Sequence, residues 1–440
     1  MSGSKMQKLA NKNKESKVEA AKKNSDLLRG TILKVLNNDD APSFDHDDMQ
    51  VLKFHGIYQQ EDRDARMAKK ATGSETDTWF MIRIKAPGGT ITPEQYLAMD
   101  QLAEEVTFNQ SLRLTTRQCF QVHGILKKDL KKTIRRCTEI LLPTICGCGD
   151  VERNIMAPPA PIADDAHARV RQLATDLSQA MTPQTNAYYE IWMDGEKVDS
   201  SREAEPVYGS QYLPRKFKTG IALPGDNSVD AHSQDVGIVA DVQDGKLAGA
   251  SILVGGGFGM THKKEETFAR LGSEFGYVEA DHIVDTVRTI ARMFRDYGDR
   301  TDRKHARLKY VIEENGIDAF REEFRNRVDF ELKPWKDLGE LRHEDSLGLH
   351  EQGDGKYYYG LFIENGRIID NERTRIRTAI REIVDALRPT VILTPNQNLL
   401  FGDLSEEDAK NLEKILNAYH IRKVEDLTYA RRHAMACVAL

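Results

Sequence analysis

Two short stretches of this sequence concentrate cations at spacings that could do chemistry. LRLTTRQCFQVHGI (Leu112–Ile125) alternates like a strand. Counting by twos puts Arg113, Thr115, Arg117, Cys119, Gln121 and His123 on one face, with Leu112, Leu114, Phe120 and Val122 on the other. A face with so many donors suits a ligand rich in acceptors. In YLPRKFKTGIAL, Lys216 and Lys218 share a strand face, with Phe217 opposite. Two ammonium groups on an inner strand are costly unless an anion meets them. On an exposed edge strand they would be ordinary gatekeepers. DRTDRKHARLKY places Arg300, Arg303, Lys304 and Arg307 along one face of a predicted helix, and that face is as well suited to solvent as to a ligand.

Other signals are weaker. Gly255-Gly256-Gly257 follows a predicted strand, but Met260 and His262 break the dinucleotide spacing. The glycines either let backbone approach a flat ligand or simply turn the chain. Cys146 and Cys148 form a C-G-C pair, a weak metal signal, and five cysteines in a long chain argue against a disulfide framework. Arg153 and Asn154 in DVERNIM are polar residues in apolar surroundings.

The net charge is −6, so clustered cations in an acidic chain favour a compact anion over a nucleic acid. An anion-binding or nucleic-acid-binding protein remains the reading from a different class. No apolar run is long enough to cross a bilayer, so no membrane is expected. MSGSKMQKLANKNKESK lacks an apolar signal core, and the cytoplasm is the default location. A chain of 440 residues should divide into two or three domains.

Elements must position these side chains. Residues 1–76 read as a polar, mobile arm, suited to docking a partner. WFMIRIKAP is a strand with Arg83 and Lys85 on one face, PEQYLAMDQLAEEV a helix, the Leu112 stretch a second strand, and residues 128–141 a helix. The order recurs in KYYYGLFIENGRIID, RTRIRTAIREIVDAL, TVILTPNQNLLFGDL and SEEDAKNLEKILNAY. Aligning Gln118 with Gln397 brings Thr115 to Thr394, while Arg113, Arg117 and His123 become Ile392, Asn396 and Gly402. This is either an internal duplication that kept its cations in one copy or a common strand–helix pattern met twice. Between the copies, Asn186–Met193, Lys216–Leu223, Val236–Val242 and Leu247–Val254 read as strands, and helices fill 263–328.

FHGIYQQEDRDAR, IRIKAPGGTIT, LRLTTRQCFQVHGILKK, GDVERNIM, YLPRKFKT, LVGGGFG, DRTDRKHARLKY, LFIENGRIID, TPNQNLLF and MACV resemble, in order, the siroheme-containing hemoprotein of assimilatory sulfite reductase. The resemblance implies an α+β fold. Two ferredoxin-like half-domains, 77–145 and 349–422, would pack around a pseudo-twofold, with an inserted α/β siroheme-binding and sulfite-binding domain at 146–348. Arg113, Thr115, Arg117, Gln121, His123, Arg215 and Arg307 would then meet siroheme's carboxylates, and Thr116 stands where the family usually has Asn. Arg83, Arg153, Lys216 and Lys218 would hold sulfite during its reduction to sulfide. A flavoprotein subunit would donate the electrons.

In the family, four cysteines bind a [4Fe–4S] cluster. Cys437, in Met435-Ala436-Cys437-Val438, matches the first, and the other three have no counterpart. The expectation is therefore a chain lacking its final α/β domain, of which 423–440 would be the start, and inactive alone. A siroheme-dependent nitrite reductase and a non-catalytic truncated relic are the alternatives.

Overall fold

The computed structural model describes residues 6–7, 15–72, 77–184, 191–193, 196–198, 205–343 and 345–438. Two five-stranded sheets dominate. The first runs Ile57–Glu61, Thr78–Arg83, Phe120–Ile125, Leu112–Leu114 and Arg367–Ile368; the second runs Gly348–Glu351, Tyr357–Leu361, Leu399–Leu404, Thr390–Leu393 and Thr90–Ile91. Each sheet thus ends in a short strand lent by the other unit. Arg367–Ile368 pairs with Arg113–Leu112, and Thr90–Ile91 pairs with Ile392–Val391.

This exchange realises the duplication as a pseudo-twofold. Thr115 N–H donates to the Cys119 carbonyl and Thr394 N–H to the Asn398 carbonyl, each at 3.0 Å. Gln118 and Gln397 both take positive φ, 50° and 62°. One continuous core joins the units, with Phe120 and Val122 of the first in the same apolar cluster as Leu399 and Phe401 of the second. Their helices start on local chemistry. Thr92 caps Pro93–Val106 with Gln95, Ser405 caps Glu406–Ala418 with Asp408, and both form reciprocal capping boxes.

The third unit has a four-stranded sheet ordered Ser273–Glu279, Lys246–Val254, Val236–Gln243 and Thr219–Ala222. Its last pair is parallel. The helices Asp165–Ala180 and Ile283–Tyr297 cover it through Leu173, Leu177, Val287 and Phe294.

Several expectations need correction. Leu112–Ile125 is a hairpin, not one strand: Leu112–Leu114 turns through Thr115–Gln118 and returns as Phe120–Ile125. The Thr115 hydroxyl accepts the Arg117 N–H at 3.2 Å, and Gln118 supplies the left-handed residue. Arg113 now pairs directly with Gln121, so the two stay on one face. The described part of the expected arm is folded. Ile57–Glu61 is an edge strand of the first sheet, and Lys22 is buried against Glu19, Asp150 and the Leu213 carbonyl. Residues 299–307 are loop, not helix. The Asp299 carboxylate takes the Thr301 and Asp302 N–H groups in an Asx turn, and the helix starts only at Leu308. A strand, Ser273–Glu279, precedes the helices expected over 263–328. The strand expected from Lys216 begins at Thr219. Of the expected Asn186–Met193 strand, 186–190 lie outside the described residues, and Ile191–Met193 pairs with Glu196–Val198.

Candidate functional site

A cavity of about 550 Å³ opens where the three units meet. The first half-domain contributes Arg83, Thr115, Arg117 and Gln121; the central unit contributes Arg153, Lys216 and Lys218; and Cys437 closes the wall from the C-terminal segment. Eight of the twelve sequence-predicted site residues therefore share one lining.

The other four stand outside it. Arg113 reaches behind the wall and donates to the Val438 carbonyl at 2.7 Å. His123 lies behind Gln121. With the Gln121 amide nitrogen facing His123 Nε2 at 2.8 Å, its oxygen accepts from Arg83 Nε at 3.0 Å. His123 Nδ1–H then donates to Gln60 Oε1 at 3.1 Å. Burial, then Arg113 and Arg83, lowers this imidazole to about 3, so it is neutral near pH 7 and orients Gln121 rather than carrying charge. Arg307 makes a two-pronged bond to buried Asp235, at 3.2 and 2.7 Å. Arg215 is a partly buried neighbour of Arg303 and Asp150, and burial lowers its pKa.

Each lining cation has a structural anchor. Arg83 Nη1 donates to the Gly147 carbonyl at 3.2 Å and to Cys148 Sγ at 3.1 Å. Arg153 Nε donates to the Gly149 carbonyl at 2.9 Å. Arg117 donates to Gln234 Oε1 at 2.9 Å and to the Thr219 carbonyl at 2.8 Å, while its buried Nε has no hydrogen-bond partner. Lys216 and Lys218 lie just before the Thr219 strand, and Phe217 between them is fully buried. That apolar anchor turns both ammonium groups into the cavity.

The nearby carboxylates are committed elsewhere. Asp150 binds Arg303 through two bonds, and Asp235 binds Arg307. The lysines bear the resulting excess of positive charge. Burial, then Arg307, Arg215 and Arg153, lowers Lys216 to about 7. Burial, then Arg117 and Arg307, lowers Lys218 well below its ordinary range. Burial lowers Arg117 to about 10. A cavity that destabilises its own cations is relieved by an anion.

Sequence reasoning gave no role to Tyr58, Cys119 or Gln397, which also line the cavity. Tyr58 lay in the stretch taken for a mobile arm. Gln397 had a signal: it aligns with Gln118 in the duplication.

A model described as "Nitrite/Sulfite reductase ferredoxin-like half domain" matches residues 73–140 and again 350–419. A second, "Nitrite and sulphite reductase 4Fe-4S domain", matches 174–332. The chain belongs to the nitrite/sulfite reductase family, a class of oxidoreductases. Within it, the chain is 44% identical over 423 residues to the "Sulfite reductase [NADPH] hemoprotein beta-component" of Staphylococcus haemolyticus, covering 96% of this chain and 74% of that protein. It is also 44% identical to the "Sulfite reductase [ferredoxin]" of Synechococcus elongatus, covering 97% and 71%. The chain thus spans about three quarters of the length of these two relatives. The "Structure of Mycobacterium tuberculosis NirA protein" shares the fold, with a TM-score of 0.74, 20% identity and coverage of 98% and 73%.

Family membership implies siroheme and a 4Fe-4S cluster. The excess of cations and the unpartnered Arg117 Nε fit a polycarboxylate such as siroheme. The cluster fits less well. Among the described residues, no group of three or more His, Cys, Asp or Glu is placed to hold a metal ion. Cys437 is an exposed thiol on the cavity wall, one thiolate where a cluster needs four. No helix among the described residues is long and apolar enough to cross a membrane.

Proposed function

We propose that this chain is the siroheme-containing subunit of an assimilatory sulfite reductase in the cytoplasm, reducing sulfite to sulfide with electrons from a flavoprotein partner. The observation that carries the reading is the convergence of Arg83, Arg153, Lys216 and Lys218 on one cavity with Thr115, Arg117 and Gln121. In this reading Thr115, Arg117 and Gln121 hold siroheme carboxylates directly, and Arg113, His123, Arg215 and Arg307 brace them. Siroheme, when bound, supplies the iron that takes sulfite and passes it electrons.

The chain's side chains handle charge and protons. Converting sulfite to hydrosulfide consumes six electrons and seven protons and releases three waters. Arg83 and Arg153 hold the anionic oxygens without giving up protons, because guanidinium stays charged. Lys216 and Lys218, whose ammonium forms are weakened, take up protons as the anion enters and release them to departing oxygens. Both flank buried Phe217, which fixes the backbone from which the two side chains enter the cavity.

The test uses siroheme-loaded protein and a strong artificial reductant. Lys218→Met and Lys216→Met should each lower sulfide formation by at least tenfold while siroheme content stays at the wild-type level. Unchanged turnover in both variants would remove the lysines from the mechanism. Faster turnover of nitrite than of sulfite by the wild type would transfer the assignment to a nitrite reductase.

A further inference from the structure

The duplication reaches further than the sheets. Gln118 Nε2 donates to the Ala157 carbonyl at 3.0 Å, and its Oε1 accepts the Ala157 N–H at 3.0 Å. Gln397 Nε2 donates to the Ala436 carbonyl at 2.9 Å, and its Oε1 accepts the Ala436 N–H at 3.0 Å. In both cases glutamine and alanine are 39 residues apart. Each side-chain amide thus holds the backbone of one residue through both its groups, as a neighbouring strand would. The clamped segments match as well: Arg153-Asn154-Ile155-Met156-Ala157 and Arg432-His433-Ala434-Met435-Ala436 share arginine, methionine and alanine at the same places.

The two clamps serve different ends. The first secures the segment whose Arg153 and Asn154 line the cavity. The second secures Met435, Ala436, Cys437 and Val438, which line it from the other side. Arg432, the counterpart of Arg153, is turned away onto Asp345 through bonds of 2.7 and 2.8 Å. One copy therefore offers the cavity a guanidinium, and the other offers it the thiol that follows the clamped alanine.

Both clamps are built into turns that leave glutamine little freedom. Gln118 and Gln397 are buried. A Cβ on Gly89 would lie 2.3 Å from the Leu393 carbonyl oxygen and 3.1 Å from Gln118 Cβ; on Gly366 it would lie 2.4 Å from the Leu114 carbonyl oxygen and 3.1 Å from Gln397 Cβ. The third bonds differ. Gln118 Nε2 also donates to the Gly88 carbonyl of its own copy at 3.2 Å, and Gln397 Nε2 to the Leu114 carbonyl of the other copy at 3.1 Å. Gln397 thereby ties the Cys437 segment to the hairpin that carries Thr115 and Arg117.

We infer that Gln397 is a positioning residue, holding the Cys437 segment as a wall of the cavity just as Gln118 holds the Arg153 segment. Its consequence for siroheme rests on the function proposed above; the clamp itself does not. The test is amide hydrogen exchange on the siroheme-free chain, comparing wild type with Gln397→Leu and Gln118→Leu, followed by siroheme retention on gel filtration. Gln397→Leu should speed exchange at Ala436 by at least tenfold and leave Ala157 at the wild-type rate. Gln118→Leu should do the reverse. Siroheme should be lost faster from Gln397→Leu than from wild type. Equal loosening of both alanines in either variant, or no change at Ala436 in Gln397→Leu, would overturn the inference. If wild type retains no siroheme while the exchange pattern holds, the clamp stands and the function proposed above falls.

Discussion

Lys216 connects burial to chemistry at the scale of a single residue. With its pKa lowered to about 7, its ammonium form is fully present only below neutrality. Between that value and its ordinary one, the unfolded chain binds more protons than the folded chain, so the folding penalty from this group is present at low pH and fades as pH rises. Anion binding has the opposite sign: it draws on the charged form and weakens as pH rises through about 7. Sulfate is a suitable probe because its own charge is constant there. Calorimetric titration of the chain should show sulfate affinity approaching a fall of about tenfold per pH unit above neutrality, and Lys216→Met should flatten that fall. A flat profile in the wild type would mean that Lys216 does not face the anion. Lys216 and Lys218 were legible because two ammonium groups on one strand face are costly without an anion, whereas the roles expected of Arg83, Arg153, Arg215 and Arg307 came from the family resemblance. The partners that anchor the cations were not legible. Asp150 and Asp235 lie far from Arg303 and Arg307 in sequence, and nothing local announces those pairs.

At the scale of elements, the exchange of edge strands decides where the hairpin sits. Alternation placed Arg113 and Gln121 on one face correctly but read a hairpin as a strand, because a two-residue period survives a turn that returns in matching register. The left-handed Gln118 carries no glycine to mark it. The 299–307 loop was read as helix because arginine spacing imitates one, whereas the Asx turn at Asp299 stops it. Gly89 and Gly366 are where the two copies interlock, each at positive φ, 79° and 66°, and each against a backbone carbonyl of the other unit. Alanine at either place adds left-handed strain to a clash that no flexible side chain can relieve. Gly89→Ala and Gly366→Ala should each cost roughly 2–4 kcal/mol in chemical unfolding. A loss below roughly 0.5 kcal/mol would show that the interlock is loose.

At the scale of the whole molecule, three units and the N-terminal segment converge on one concave site. Lys22 bonds Glu19, Asp150 and the Leu213 carbonyl, and Arg300 bonds Glu19 and the Tyr212 carbonyl. The segment expected to be an arm is therefore tied to both loops that lead into the cavity, through Asp150 before Arg153 and through Leu213 before Lys216. The duplication and the insert were legible as pattern. Most of the site's residues were named through the family resemblance, but the part played by Tyr58 and Gln397 was not, because they reach the cavity from segments distant in sequence. The most direct measurement is the cofactor content and anion response of the purified chain, expressed where siroheme is made. The account predicts near-stoichiometric extractable siroheme and an absorption change on adding sulfite to the reduced protein, with both siroheme retention and the sulfite response diminished in Arg117→Ala. Protein that is folded by circular dichroism yet carries no siroheme and shows no sulfite response would contradict it.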